Sequence, residues 1–190
     1  NYLECIEINV NGLIKKYNKI EISESKVKLI TTDNSLPIVV SEKLWNVHSI
    51  KDHFDDLKKF YQISIAWKDE LDEAKDVIYS YFRTKVPFHF KGILHGTFEL
   101  NSDRNDILSE DVYNKKLIKL IPGLIADIAL KIATNETQFK NYKALSFTIF
   151  DNTVLPSIMK DEAFDFGNKL KEALFTKEIL PTICNEYISL

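Results

Sequence analysis

The sequence predicts an α+β domain in which helices pack on a mixed β-sheet. Three features favour this class. Apolar and polar residues alternate through the first third of the chain, two apolar runs at 77–82 and 94–100 have the length of strands, and the apolar residues of 112–134 follow a helical period. Strand-like and helix-like segments that alternate along one chain are typical of a sheet covered by helices.

The first third is expected to form three strands. Two alternating runs, at 3–10 and 13–22, flank Asn11-Gly12. Asn-Gly between such runs favours a tight hairpin turn because both residues tolerate the positive φ that the turn requires. A third strand is expected at 27–32, and polar residues break the pattern after it.

A helix is expected at 49–60, with Ser49 as its cap, because apolar residues recur there at helical spacing, at Ile50, Phe54 and Leu57. The residues that follow alternate again. A strand is therefore expected at 61–67, with one face formed by Tyr61, Ile63, Ile65 and Trp67.

The runs at 77–82 and 94–100 are expected to be strands joined by a loop that contains Pro87 and Gly92. The longest helix is expected at 112–134, along an apolar stripe formed by Leu117, Ile121, Leu124, Ile128 and Ile132.

Pro122 lies inside that helical pattern and predicts a kink or a break. A strand is expected at 145–150 and an amphipathic helix at 162–175. Residues 1–150 are taken as one domain and 151–190 as a helical extension that leads into a further unit. Both ends of the sequence lie in apolar patterns without a polar tail, so we expect a piece of a longer protein.

Composition narrows the function classes. The chain has 190 residues, 45% of them apolar, and a formal net charge of -3. A nucleic-acid-binding domain usually carries a basic excess, and a membrane span needs about 20 apolar residues in a row, so neither partner is expected. Cys5 and Cys184 show no metal-ligand spacing, and no signal peptide is recognisable. Reduced and mostly buried thiols in a cytoplasmic protein are expected.

Common catalytic signatures are missing from the sequence. It contains no GxxxxGK[ST] loop, GxGxxG turn, GxSxG elbow or HExxH helix. His89 and His95 are remote from any nucleophile and are expected to be structural histidines with satisfied hydrogen bonds. We therefore expect that this chain alone is not an enzyme.

A metal site remains one alternative. On the helix expected at 49–60, His48, Asp52 and Asp56 are four residues apart and share a face, which is compatible with metal ligation. The same residues also fit the solvated face of an amphipathic helix. A small metal-dependent enzyme built on them is the less favoured interpretation.

The most informative segment is Val77–Ile107, where two apolar strands lead into the polar turn Asn101-Ser102-Asp103-Arg104-Asn105. An arginine beyond a strand end presents a planar fork of donors that matches phosphate oxygens, and short polar neighbours can fix the turn. From spacing alone, an ordinary surface turn is the favoured interpretation of these residues.

This segment resembles the second domain of the sacsin-type branch of the GHKL (histidine kinase-like) ATPases. The matching stretches are YFRTKVP at 81–87 and HGTFELNSDR at 95–104, although Arg83 stands where the family tends to have a small residue. Asn114 followed by Leu117 is similar to the family's WN..LL helix, with Tyr113 for Trp, and 179–187 resembles its LPT...Y segment.

The resemblance implies a middle, or transducer, domain that follows an ATP-binding domain. In the ninety-kilodalton heat-shock chaperones, an arginine of this domain reaches the terminal phosphate of ATP held by the preceding domain. Arg104 matches that position, with Asn101 and Asn105 as neighbours and Lys85 as a second candidate. ATP and magnesium are thus implied for the parent protein, with the upstream domain and a possible protein client as partners.

The acidic catalytic residue, metal-binding Asn and glycine-rich lid of the ATP-binding domain have no counterpart here. The resemblance therefore implies that the chain couples ATP occupancy to downstream parts of a chaperone-like or defence-related ATPase. The alternative is a protein-interaction module of a homologue that has lost its ATPase activity.

Overall fold

The computed structural model describes residues 4–10, 13–23, 25–33, 36–70, 75–135, 143–149, 155–160, 164–181 and 187–189. The chain divides into two compact units. The first unit extends to Val47 and includes Ala66–Glu70, and the second contains the remaining residues. Together their strands and helices form an α+β architecture, as the sequence predicts.

The first unit is a meander of antiparallel strands. Strands β1 (Cys5–Val10), β2 (Leu13–Ser23), β3 (Lys26–Asp33) and the first part of β4 (Leu36–Phe54) are hydrogen-bonded neighbours in chain order. Val10 pairs with Leu13, so β1 and β2 form the antiparallel hairpin that the sequence predicts. The three strands expected in the first third are confirmed.

The described residues of the first unit bury little apolar surface. Among those whose side-chain burial is described, which leaves out 10, 13, 33 and 36–41, Trp67 is the one buried side chain. Large apolar residues on the meander remain exposed to solvent, namely Ile6, Ile8, Ile20, Ile22, Leu29 and Leu44. Cys5 is also exposed, so the expectation of a mostly buried thiol is wrong there, and Cys184 lies outside the described residues.

The helix predicted at 49–60 is wrong. Strand β4 continues to Phe54, a turn follows at 55–58, and β5 (Lys59–Trp67) returns from it. Ile50 and Phe54 are four residues apart, a spacing that places two side chains on one face of a strand as well as of a helix, because four is a multiple of the strand period. Only Leu57 distinguished the two patterns, and it lies in the turn.

The second unit contains a mixed sheet. Its strands β6 (Lys75–Ser80), β7 (Phe82–Phe90) and β8 (Ile93–Gly96) join β4 and β5 in the order β4-β5-β8-β6-β7. β6 runs parallel to β8 and antiparallel to β7. Buried residues alternate along β5 and β7 and build the sheet side of the core of this unit, from Ile63, Ile65, Val86, Phe88 and Phe90.

Pro87 lies within β7 and not in the loop that the sequence predicts. β7 is the last strand in the sheet order, and its register shifts where Pro87 opposes Val77. Proline is tolerated at edges and bulges because its missing N–H removes no ladder bond there. The strand expected at 94–100 is also shorter, since β8 ends at Gly96 and Leu100 forms only an isolated bridge with Ile107.

Helix α1 (Val112–Asn135) confirms the longest predicted helix and continues through Pro122 without a break. Its apolar stripe is buried, with Leu117, Ile121, Leu124, Ile125 and Ile128 at most 2% exposed. The structure describes no helix that is both long enough and apolar enough to cross a bilayer.

The strand predicted at 145–150 is wrong where it is described, because α2 (Lys143–Phe147) is helical. Ala144 and Phe147, three residues apart, are both buried, and one helical turn places them on the same face. The last predicted helix is confirmed as α3 (Phe166–Leu174), although it begins later because the Asp165 side chain caps it. Two short strands, β9 (Leu180–Pro181) and β10 (Tyr187–Ile188), pair antiparallel.

We expect Phe88→Ala to lower the free energy of unfolding by about 3–5 kcal/mol, because it empties a fully buried site in β7. Phe82→Ala at the start of the same strand is the matched control, since Phe82 is 67% exposed, and it is expected to cost less than about 1 kcal/mol. Urea denaturation followed by circular dichroism measures both values. Equal losses would contradict the assignment of the core.

Candidate functional site

The predicted arginine turn is a closed loop between β8 and α1. The bridge between Leu100 and Ile107 closes its base. Inside the loop, the Asn101 N–H donates to the Asp106 carbonyl at 3.0 Å, and the Arg104 N–H donates to the Asn101 carbonyl at 2.9 Å. The backbone of this turn is therefore fixed by its own hydrogen bonds.

The side chains of Asn101 and Asn105 brace the loop from within. Asn101 Oδ1 accepts hydrogen bonds from the N–H groups of Asn105 at 3.1 Å and Asp106 at 3.2 Å. Asn101 Nδ2 donates to Asn105 Oδ1 at 3.1 Å. Short amide side chains stabilise turns by replacing backbone partners in this way. Both amides thus shape the loop, as their position beside Arg104 suggests.

Arg104 lies at the tip of the braced loop. Its side chain is exposed, and in the part of the chain that the structure describes its guanidinium has no hydrogen-bond or ion-pair partner. Its φ is 56°, in the left-handed region, which costs a non-glycine residue about 1–2 kcal/mol. The loop therefore holds an arginine outward in a conformation that the residue alone disfavours.

Lys85 lies beside this loop. Its N–H donates to the Asn105 carbonyl at 2.7 Å, which joins β7 to the turn, and its side chain is exposed. The structure therefore places all four residues predicted from the sequence in the loop or beside it. Asn101 and Asn105 brace the loop, and the side chains of Arg104 and Lys85 are exposed.

Asn114 anchors the loop to the core, a role that the sequence analysis did not assign to it. Its side chain is fully buried at 0% exposure. Asn114 Oδ1 accepts from the Glu99 N–H, and Nδ2 donates to the carbonyls of Glu99 and Leu108, all at 2.9 Å. One amide thus holds both flanks of the loop against α1. The polar residue at the start of an apolar helix is the signal that could have identified it.

Tyr113 fixes the same end of α1 to the sheet. Its hydroxyl donates to the Phe60 carbonyl at 2.9 Å and lies 2.7 Å from Thr97 Oγ1. Burial raises the pKa of Tyr113, so the phenol remains protonated and able to donate. Thr97 in turn accepts from the Gln62 N–H at 3.1 Å. These bonds attach the segment before the loop to β5.

His95 is structural, as the sequence predicts. Its Nε2 accepts a hydrogen bond from the Tyr81 N–H at 3.1 Å, and the two rings meet edge to face at 5.8 Å. Burial lowers the pKa of His95. The neutral imidazole, with Nε2 unprotonated, is the form that can accept this bond.

The residues of the metal hypothesis lie on a strand and a turn, so the shared helix face proposed for them is wrong. His48 Nδ1 lies 2.9 Å from Lys131 Nζ, while Asp56 pairs with Lys116 and Asp52 contacts the neighbouring His53 ring at 3.1 Å. Burial and the Lys131 charge lower the pKa of His48. The described residues contain no group of three His, Cys, Asp or Glu side chains suited to a metal.

Comparisons with protein-family models, with curated proteins and with solved structures found no match. The functional interpretation therefore depends on the loop itself and on the motif residues that the sequence analysis identified.

We expect Asn114→Ala to lower the free energy of unfolding by about 3 kcal/mol, because it leaves buried groups of Glu99 and Leu108 without partners. Hydrogen exchange is expected to accelerate at the Glu99 amide. Lys119→Ala, at an exposed position of the same helix, is the control and is expected to change stability by less than about 0.5 kcal/mol. Unchanged exchange at Glu99 in the Asn114 variant would refute the anchoring role.

Stability is expected to fall as pH decreases below about 6.5, the ordinary pKa of histidine. The folded-state pKa values of His48 and His95 are lowered, so the unfolded chain binds more protons in this range. His95→Gln retains an acceptor for Tyr81 but does not titrate, and is expected to flatten the slope by at most about 1.4 kcal/mol per pH unit. Urea denaturation of both proteins at several pH values from about 5 to about 7.5 measures this slope. The same slope in both proteins would count against burial of a neutral His95.

Proposed function

We propose that this chain is the non-catalytic middle domain of a larger, sacsin-like GHKL ATPase. In this proposal Arg104 contacts the terminal phosphate of ATP bound to a preceding domain of the same polypeptide. The observation that carries the proposal is the exposed guanidinium, which has no partner among the described residues and is held on a braced loop. The motif resemblance and the compatible α+β class add support.

The chemistry of the loop suits contact with a phosphate that is bound to another domain. A guanidinium presents donors in a fork that matches two phosphate oxygens, and a charge-assisted pair of this kind is stronger than a neutral hydrogen bond. Because the loop is already braced, less conformational entropy is lost when Arg104 binds. Arg104 would act by electrostatic stabilisation of phosphoryl transfer, with no role as nucleophile or base. Lys85 supplies a second cation on the neighbouring strand.

The bonds that anchor the loop would couple the contact between Arg104 and phosphate to the position of helix α1. Asn114 attaches both flanks of the loop to α1, so a displacement of Arg104 acts directly on the longest helix. Release of the terminal phosphate would remove the charge that Arg104 contacts and permit a domain movement. ATP and magnesium belong to the parent protein in this proposal, a cytoplasmic chaperone-like ATPase.

A second candidate is a protein-interaction module of a homologue that has lost its ATPase activity. The exposed apolar residues of the first unit favour it, since large side chains such as Ile6, Ile8 and Ile22 are about half exposed on one meander. The sequence encoded by the upstream part of the parent gene distinguishes the two candidate functions. An intact acidic residue and metal-binding Asn there favour the ATPase, and their loss favours the interaction module.

We expect Arg104→Ala in the parent protein to lower ATP turnover by roughly 10²–10³-fold, the usual effect of removing one donor that stabilises transition-state charge. ATP affinity is expected to change less than about threefold, because the nucleotide is held mainly by the other domain. Steady-state turnover and equilibrium nucleotide binding measure the two effects separately.

Arg83→Ala is the matched control, since Arg83 and Arg104 are the two arginines of the chain and both side chains are exposed. It is expected to leave turnover unchanged. Arg104→Lys keeps the charge without the fork, so partial recovery is expected. Normal turnover in the Arg104→Ala protein, or equal losses at Arg83 and Arg104, would reject the proposal.

A further inference from the structure

A second group of outward-facing side chains lies in the second unit, at an open groove of about 720 Å³. This volume is within the range typical of small-molecule sites. Lysine side chains and aromatic rings dominate the lining, in particular Lys51, Lys58, Lys59, Phe60, Tyr81 and Tyr113.

The charge of the groove favours an anion. Lys59 is neutralised by Glu99, whose carboxylate lies 2.7 Å from Lys59 Nζ. Lys51 and Lys58 are exposed, and among the described residues neither ammonium group has an ion-pair or hydrogen-bond partner. Two uncompensated positive charges therefore remain. A phosphate monoester carries about -1.5 to -2 at neutral pH and complements them.

The rings favour a planar group beside that anion. Phe60 is 83% exposed and Tyr81 is 74% exposed, although both are large side chains at the groove. Tyr113 also lines the groove and its hydroxyl donates to the Phe60 carbonyl, while Lys59 Nζ lies 5.2 Å from the centre of its ring. Exposed aromatic faces bind flat rings by stacking, and this does not require a particular ring identity.

The backbone at the groove is held in disfavoured conformations. Lys58 and Tyr81 have φ values of 50° and 58°, and Arg104 is the remaining non-glycine residue with positive φ in the described chain. A bulky residue with positive φ is uncommon, and such residues cluster at binding sites. The Tyr81 N–H donates to His95 Nε2 at 3.1 Å, and the Tyr81 ring meets the His95 ring edge to face at 5.8 Å, so His95 contacts both the backbone and the ring of Tyr81.

We propose that this groove binds a small phosphate monoester that carries a planar ring, of about the size of a nucleoside monophosphate. Lys51 and Lys58 contact the phosphate, and the exposed rings of Phe60 and Tyr81 stack on the planar group. This site is independent of the Arg104 loop and of ATP bound to a preceding domain.

Titration calorimetry and amide chemical-shift mapping of the whole chain test the site with three probes at low salt. Adenosine monophosphate contains both features, adenosine lacks the phosphate, and inorganic phosphate lacks the ring. The expected dissociation constant for adenosine monophosphate is about 10 µM to 1 mM, with shifts at the groove residues, and each partial probe is expected to bind at least about tenfold more weakly.

Substitutions identify the contacts. The double change Lys51→Ala and Lys58→Asn removes both charges, and Asn tolerates the positive φ at position 58. It is expected to weaken binding of adenosine monophosphate by about tenfold or more. Tyr81→Asn removes a ring with the same backbone tolerance, and is expected to reduce the advantage of adenosine monophosphate over inorganic phosphate. Lys119→Ala, outside the groove, is the matched control and is expected to bind normally.

Three results would overturn the proposal. One is the absence of any shift at about 5 mM adenosine monophosphate, a concentration above the expected range. Another is equal binding by the double lysine variant and the Lys119 control. The third is affinity for a single-stranded oligonucleotide that increases with its length, which would indicate a nucleic-acid track. Arg104→Ala is expected to leave binding intact, so a failure at either site is distinguishable from a failure at the other.

Discussion

The hydrogen bonds of one buried side-chain amide support both the loop and the start of the longest helix. Asn114 makes three bonds to the segment 99–108, and none of its polar atoms reaches solvent freely, because the residue is 0% exposed. A buried amide without partners is costly, so the helix can bury Asn114 only if Glu99 and Leu108 lie at its side. The position of the surface loop thus depends on hydrogen bonds to a residue buried in the core.

Three residues keep a disfavoured backbone conformation, and the backbone N–H of each one donates a hydrogen bond within the fold. The N–H of Arg104 donates to Asn101, that of Tyr81 to His95 and that of Lys58 to Asp55. The bonds of Arg104 and Lys58 each close a short turn, whereas the bond of Tyr81 reaches His95, which is 14 residues away in the sequence. All three side chains are exposed to solvent. Glycine or asparagine would fit the backbone better at these positions. The side chains therefore carry a cost to stability that is consistent with selection for a surface property.

The sequence predicted features that depend on local chemistry. The alternating β5 strand and the stripe of α1 are confirmed because each pattern matches only one period. The hairpin of β1 and β2 is confirmed because its signal is the chemistry of two adjacent turn residues. The prediction of a helix at 49–60 was wrong because a four-residue spacing fits both the helical and the strand period. The prediction of a loop at Pro87 was wrong because Pro87 lies in an edge strand, and which strand is at the edge depends on the whole sheet. Arg104 was identified from a motif resemblance and not from its turn alone, and its role stays a prediction. The Asn114 anchor depends on partners that only the folded chain brings together.

Lysines that pair with a carboxylate in the fold can be distinguished from lysines that are candidates for binding an anion. Lys59, Lys116 and Lys177 each face a carboxylate, so their charges are compensated within the fold. The net charge is -3, and salt screens exposed charges beyond about 10 Å, so the protein as a whole does not attract anions over long distances. Recognition of a phosphate then depends on cations that have no internal carboxylate and a fixed position. Among the described residues, Arg104, Lys51 and Lys58 have no carboxylate partner and so meet the first condition, and the braced loop that carries Arg104 also meets the second.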